Sequence, residues 1–125
     1  MLKEKIIIFT DLDGTLLDHT TYSFEAAIPM LALIKRHNIP LIIVTSKTKD
    51  EVLRIQKHLD LRAPFIVENG AGIFIPFKED YEMVSMGFEY EYIRSCFVKY
   101  AKSVPIVGFF DITDEEVANY TNLSI

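Results

Sequence analysis

Cysteine occurs once in this sequence, at Cys96. One thiol can make neither an internal disulfide nor a thiolate zinc site, which excludes a disulfide framework and suits a reducing cytoplasm. Positive charge is also scarce. Thirteen Lys and Arg face eighteen Asp and Glu, a formal net charge of -5, and no basic stripe is left to neutralise the phosphates of a nucleic acid. Long apolar runs are missing too. None approaches the roughly 20 residues of a membrane span, and Ile6-Ile7-Ile8-Phe9 is too short for the apolar region of a signal peptide. His19, His37 and His58 fall in unrelated segments without metal-ligand spacing. Repeats and low-complexity tracts are lacking as well.

What remains is the composition of a globular domain, 50% hydrophobic and 25% charged. The 125 residues suffice for one domain with a real core, or for one domain and part of another. The apolar run Ile6 to Phe9 reads as a strand buried on both faces, the state of a central strand in a parallel sheet. After Thr10 comes Asp11-Leu12-Asp13-Gly14-Thr15-Leu16-Leu17. The two carboxylates therefore sit at the C-terminal end of a strand, the edge where open α/β sheets bind ligands. Two like charges so close call for a cation or a shared proton. A turn with an Asx hydrogen bond is the plainer reading of a bare Asp-x-Asp. The preceding strand and the following Gly-Thr favour a site instead. An EF-hand loop is excluded, because its glycine belongs at the sixth position and a helix should precede it.

Taken in order, the chain predicts a polar loop from Leu16 to Tyr22, then a helix between Ser23 and His37 with Ile28, Leu31 and Ile34 on one stripe. Pro29 belongs in its first turn, and Asn38 suits a left-handed cap. Leu41 to Val44 is a second buried strand, parallel to the first through a right-handed crossover, so Thr45 reaches the same edge as Asp11. Thr48 and Glu51 form a capping box for a helix that buries Val52, Ile55 and Leu59. Pro64 to Val67 is a third strand, running into the turn Glu68-Asn69-Gly70-Ala71-Gly72. Ile73 to Ile75 and Met83 to Met86 read as hairpin strands. Ile93, Cys96, Phe97, Tyr100, Ala101 and Val104 mark an amphipathic helix, Ile106 to Phe110 a strand, and Thr113 with Glu116 the start of a last helix. The expected division lies near Tyr81, with residues 1–81 as a doubly wound α/β half-core and residues 82–125 as a separate α+β piece.

The Asp11 to Leu17 heptapeptide resembles the first motif of the haloacid dehalogenase superfamily of phosphohydrolases. Val44-Thr45-Ser46-Lys47-Thr48 with Glu51, Pro64 to Gly70, and Ile73 to Pro76 resemble its mannosyl-3-phosphoglycerate phosphatase branch, which carries a C2-type α+β cap. Gly108 to Thr113 and Thr121-Asn122-Leu123-Ser124 are similar to that branch's cap. The resemblance implies that Asp11 attacks phosphorus to form an aspartyl-phosphate and that Asp13 is the proton shuttle. It also implies that Mg²⁺ is held by Asp11 and the Asp13 carbonyl, and that Thr45, Ser46, Lys47, Asn69 and Gly70 contact the phosphorylated small-molecule substrate. Members of the superfamily go on to a lysine motif and an acidic Gly-Asp motif. No Gly-Asp pair follows Asp13 here, so the chain reads as the N-terminal half of such a phosphatase.

Two other readings compete with this one. A phospho-acceptor signalling domain needs an aspartate at the end of the third strand, where this chain has Glu68-Asn69. A non-catalytic fragment would bind ligand weakly or only associate with another chain. The exposed sheet surface expected of a half-core points to either self-association or a complementing chain.

Overall fold

A computed structural model describes residues 6–121. Five strands form one sheet in chain order: β1 (Ile8–Thr10), β2 (Leu41–Val44), β3 (Phe65–Val67), β4 (Gly72–Phe77) and β5 (Asp80–Ser85). The first three run parallel, with Phe9 opposite Ile42 and Val44 opposite Ile66. β4 and β5 are antiparallel to their neighbours, and Phe65 pairs with Phe74. The expected hairpin thus extends the sheet itself. The expected boundary near Tyr81 falls within β5. The compact units are instead Met1–Gly87 and Phe88–Ile125.

In the first unit, α1 (Ile28–Arg36) and α2 (Lys49–His58) are the two crossovers. Steps from β1 to β2 and from β2 to β3 go the same way across the sheet, so right-handed crossovers bring both helices to one face. Pro29 occupies the first turn of α1, after a 3₁₀ turn at Glu25–Ala27, and Asn38 ends the helix with φ 51°. Only Ile34 of the expected α1 stripe is buried, and Ile28 is exposed. At α2 the capping box forms: Glu51 accepts hydrogen bonds at 2.8 Å from the Thr48 amide and from its hydroxyl. These bonds hold the Glu51 carboxyl below its ordinary pKa.

The core lies between these helices and the sheet, where Leu12, Leu17, Ile43, Val52, Phe65, Val67 and Phe74 cluster. Among the described residues two polar side chains are buried, Thr45 and Gln56. Gln56 Nε2 donates to the Ala63 carbonyl at 3.0 Å, and its Oε1 accepts from the Tyr81 hydroxyl at 2.8 Å. A buried amide left without a partner costs about 1–3 kcal/mol. Tyr81→Phe should therefore destabilise the protein by that much in urea unfolding. A change under about 0.5 kcal/mol would show that Gln56 does not depend on the hydroxyl.

The first strand departs from expectation. Among the described residues it has a neighbour on one side only, and Phe9 is 61% exposed, so there it stands as an edge strand with one open face rather than a strand buried on both.

The second unit holds α3 (Tyr90–Ala101) and α4 (Asp114–Thr121), with a 3₁₀ turn at Phe109–Asp111. The strand expected over Ile106 to Phe110 does not form. In its place the Ile106 amide bonds the Val104 carbonyl and the Asp111 amide bonds that of Gly108, local turns that no neighbouring strand competes with among the described residues. The α3 stripe stays open for a related reason: the described part of this unit has no sheet to cover it, and Ile93 and Tyr100 are exposed. Arg94 makes a two-pronged ion pair with Asp111, and this holds the Asp111 carboxyl below its usual range. Asn122, Leu123 and Ser124 of the resemblance lie outside the described residues.

Candidate active site

β1, β2 and β3 are parallel and end at Thr10, Val44 and Val67. The residues that follow, Asp11, Thr45 and Glu68, therefore share one edge of the sheet. Beyond Thr10 the chain turns rather than staying extended. Leu12 is fully buried, its carbonyl accepts from the amides of Thr15 at 3.1 Å and Leu17 at 2.8 Å, and Gly14 takes φ 70°. A side chain is rarely tolerated at that φ. The buried Leu12 anchors the turn, and the carboxylates on either side of it stay accessible: Asp11 is exposed and Asp13 half-buried.

Two further segments join this turn. Lys47 Nζ lies 3.1 Å from Asp13 Oδ2. The Lys47 amide in turn donates to Thr45 Oγ1 at 3.2 Å. Thr45 is buried, and its amide donates to the Ile66 carbonyl at 3.0 Å. Among the described residues its hydroxyl donates to no acceptor, which leaves that hydrogen for an anion. After β3, Glu68 and Asn69 both take left-handed backbone conformations, φ 51° and 56°, followed by Gly70 at 98°. Two successive non-glycine residues at such φ are held there by their surroundings. The holding contacts are visible. The Glu68 amide donates to the Lys47 carbonyl at 3.1 Å, and that of Asn69 to the Thr45 carbonyl at 3.2 Å. Thr45, Lys47, Asn69 and Asp13 are thus tied into one network. Ser46 is exposed in the same loop, and Gly70 lies in the turn, half-buried.

Two features had no signal in the sequence. Lys47 Nζ also sits 5.8 Å from the centre of the Tyr22 ring, which lines a cleft of about 310 Å³ with Leu17, Phe24, Glu51 and Arg54. Tyr22 arrives there because Asp18 folds its loop back: Oδ1 accepts from the Thr20 and Thr21 amides at 3.0 and 2.8 Å and from the Thr21 hydroxyl at 2.9 Å. The same three bonds, that of the Thr21 amide foremost, lower the Asp18 pKa. The second feature is backbone. The fold places two left-handed residues where the sequence shows only a glycine-bearing turn. A larger cavity of about 570 Å³ is lined by Pro40, Pro64, Leu31 and Leu59. Both prolines precede their strands, so that cavity is at the opposite end of the sheet from the carboxylates.

Asp13 Oδ1 is buried and has no hydrogen-bond partner. Such an orphan oxygen is an acceptor waiting for a proton or a cation. Among the described residues no group of three or more His, Cys, Asp or Glu is gathered for a metal. The exposed Asp11 carboxylate and the Asp13 backbone carbonyl nevertheless offer oxygens that fit Mg²⁺, which is commonly held by one or two carboxylates, with water and substrate phosphate completing its shell.

A family model described as haloacid dehalogenase-like hydrolase matches residues 8–123. A protein of Persephonella marina named glucosyl-3-phosphoglycerate/mannosyl-3-phosphoglycerate phosphatase is 47% identical, covering 94% of this chain and 48% of that protein. Its namesake in Methanococcoides burtonii is 43% identical, covering 97% of this chain and 50% of that one. The chain spans about half the length of these curated relatives. Among solved structures, a haloacid dehalogenase-like hydrolase from B. subtilis superposes with a TM-score of 0.59 at 23% identity, over 80% of this chain and 34% of that one. That likeness bears on the fold alone. Since the family match runs from the first strand through the last helix, the chain belongs to the haloacid dehalogenase-like hydrolases.

Proposed function

We propose that this chain carries the nucleophile half of a magnesium-dependent phosphohydrolase acting on a sugar-phosphate monoester, of the glucosyl- or mannosyl-3-phosphoglycerate kind named for its relatives. The observation that supports it best is the joining of Asp13, Lys47, Thr45 and Asn69 beside Asp11 at one sheet edge. Asp11 attacks phosphorus in line. The bond from phosphorus to the ester oxygen breaks as the bond from Asp11 to phosphorus forms, and Asp13 gives the departing alkoxide its proton. Asp13 then takes a proton from water, which attacks the aspartyl-phosphate and releases inorganic phosphate.

Thr45, whose hydroxyl hydrogen is free, and the backbone amides after Asp11 hold the phosphoryl oxygens. Lys47 keeps Asp13 in place by its ion pair and, with Ser46, Asn69 and Gly70, borders the substrate. The Asp11 carboxylate and the Asp13 carbonyl would hold Mg²⁺, whose charge offsets that of the phosphoryl group. We read the second unit, from Phe88 on, as the first part of a cap, and place the protein in the cytoplasm, where a single free Cys96 stays reduced.

The test is phosphate release from glucosyl- and mannosyl-3-phosphoglycerate by a polypeptide in which this chain is followed by the second half of the Persephonella marina relative. Release is expected with Mg²⁺ and is expected to stop when the metal is chelated. Absence of release from both esters, with the polypeptide folded, would overturn the reading. The 125-residue chain alone is expected to be a poor or inactive catalyst.

A further inference from the structure

Tyr22 lies in the loop between the carboxylate turn and α1. It is 60% exposed, so burial does not account for where its ring sits. Its backbone takes φ 56°, a left-handed conformation unfavourable for a side chain of that size. The loop enforces it. The Tyr22 amide donates to the Asp18 carbonyl at 2.9 Å, the Asp18 amide to the Ser23 carbonyl at 2.8 Å, and the Ser23 amide to Thr21 Oγ1 at 3.3 Å. These bonds add to those that Asp18 Oδ1 accepts from Thr20 and Thr21. A strained residue that faces solvent and is held so firmly points to what its side chain touches. Here that is Lys47, whose Nζ is 5.8 Å from the ring centre and 3.1 Å from Asp13 Oδ2.

Lys47 needs such a contact. Its backbone is fixed, with the amide on Thr45 Oγ1 and the carbonyl accepting from Glu68, but a long flexible stem separates that backbone from the ammonium. A second carboxylate competes for the charge. Glu51 lines the same cleft as Lys47 and Tyr22. The Thr48 amide and hydroxyl hold the Glu51 carboxylate first, and the Lys47 charge acts on it as well. An ammonium free to swing would divide its time between Glu51 and Asp13, since neither pairing alone is strong enough near solvent to fix it. The face of an aromatic ring attracts the cation and narrows that choice. Resting on the phosphatase reading of Asp13, we propose that Tyr22 is a positioning residue, whose ring keeps the Lys47 ammonium on Asp13 rather than on Glu51 and so orients the carboxyl that moves the proton. The ring face is what acts, and the hydroxyl takes no part.

The test begins with the chain itself. Reductive methylation with formaldehyde and cyanoborohydride, read lysine by lysine by mass spectrometry, should modify Lys47 about threefold faster or more in Tyr22→Leu, with the exposed Lys57 as internal standard. Tyr22→Phe keeps the ring face and should stay within about 1.5-fold of the unsubstituted chain. In the joined polypeptide, Tyr22→Leu should lower kcat about threefold to tenfold while KM for mannosyl-3-phosphoglycerate changes less than about twofold, and Tyr22→Phe should restore kcat. In a Lys47→Met background Tyr22→Leu should cost nothing further, since no ammonium is left to place. Unchanged labelling of Lys47 in Tyr22→Leu would overturn the proposal. So would equal losses in Tyr22→Leu and Tyr22→Phe, which would give the role to the hydroxyl, or a loss that persists at full size without Lys47. A rise in KM with kcat intact would make Tyr22 a substrate contact and overturn it too. Absence of phosphate release from the unsubstituted joined polypeptide would refute the proposed reaction, while the labelling of Lys47 would still decide whether Tyr22 holds the ammonium.

Discussion

Asp11→Asn in the joined polypeptide is expected to reduce phosphate release by about 10⁴-fold or more, the scale on which removing a covalent nucleophile acts. The replacement keeps the size of the side chain and removes its charge. An amide oxygen is too weak a nucleophile to displace an alkoxide from phosphorus, and the labelled aspartyl-phosphate should disappear with the activity. The fold should not notice. Asp11 is exposed just after β1, and among the described residues its carboxylate makes no hydrogen bond to the core, so stability should stay within about 0.5 kcal/mol. Asp13→Asn should cost about 10²–10⁴-fold, as expected for lost proton transfer, and its label should form more slowly rather than vanish. Acid-quenched single-turnover experiments would separate the two. Undiminished labelling in Asp11→Asn would remove Asp11 from the nucleophile's role.

Phe65→Ala is expected to cost about 3–5 kcal/mol, a large share of the roughly 5–15 kcal/mol that keeps a domain folded. Phe65 is fully buried on β3, the strand where parallel pairing gives way to antiparallel. Its ring stacks on Phe74 with centres 5.0 Å apart and meets the edge of Tyr81 at 5.1 Å. Removing it opens a void between sheet and helices that rigid neighbours fill poorly. The consequence reaches the site, because the turn at Glu68 and Asn69 leaves the same strand and depends on its register. Urea unfolding would measure the loss, with Phe65→Leu as the milder comparison. A loss below about 1.5 kcal/mol would mean that the strand is not the centre of the core.

The legible parts were those that local chemistry dictates. Short β-branched runs favour strands, and Leu41–Val44 and Phe65–Val67 are strands. Thr48 with Glu51 satisfies helix amides whatever surrounds it, so α2 begins where the residues say. The same holds for Thr113 and Glu116 at α4. Alternation and strand order then bring Asp11, Thr45 and Asn69 to one edge, because parallel strands joined by right-handed crossovers have their ends on one side.

Tertiary structure decided what depends on partners distant in the chain. Ile106 to Phe110 has the composition of a strand, yet pairing requires a neighbour, and local turns prevail where none is described. The hairpin after Gly72 joins the main sheet because Phe74 and Tyr81 both close on Phe65, a contact no window of residues contains. Gln56 is buried because Ala63 and Tyr81 satisfy both ends of its amide. The ion pair from Lys47 to Asp13 and the backbone bonds from Glu68 and Asn69 likewise arise only when three loops meet. The sequence by itself determined the strands, the capped helices and the edge at which the carboxylates lie, since those follow from propensity and handedness. Which side chains touch there, and which face of the sheet stays open, followed only from packing, because burial is a property of the surroundings and not of the residue.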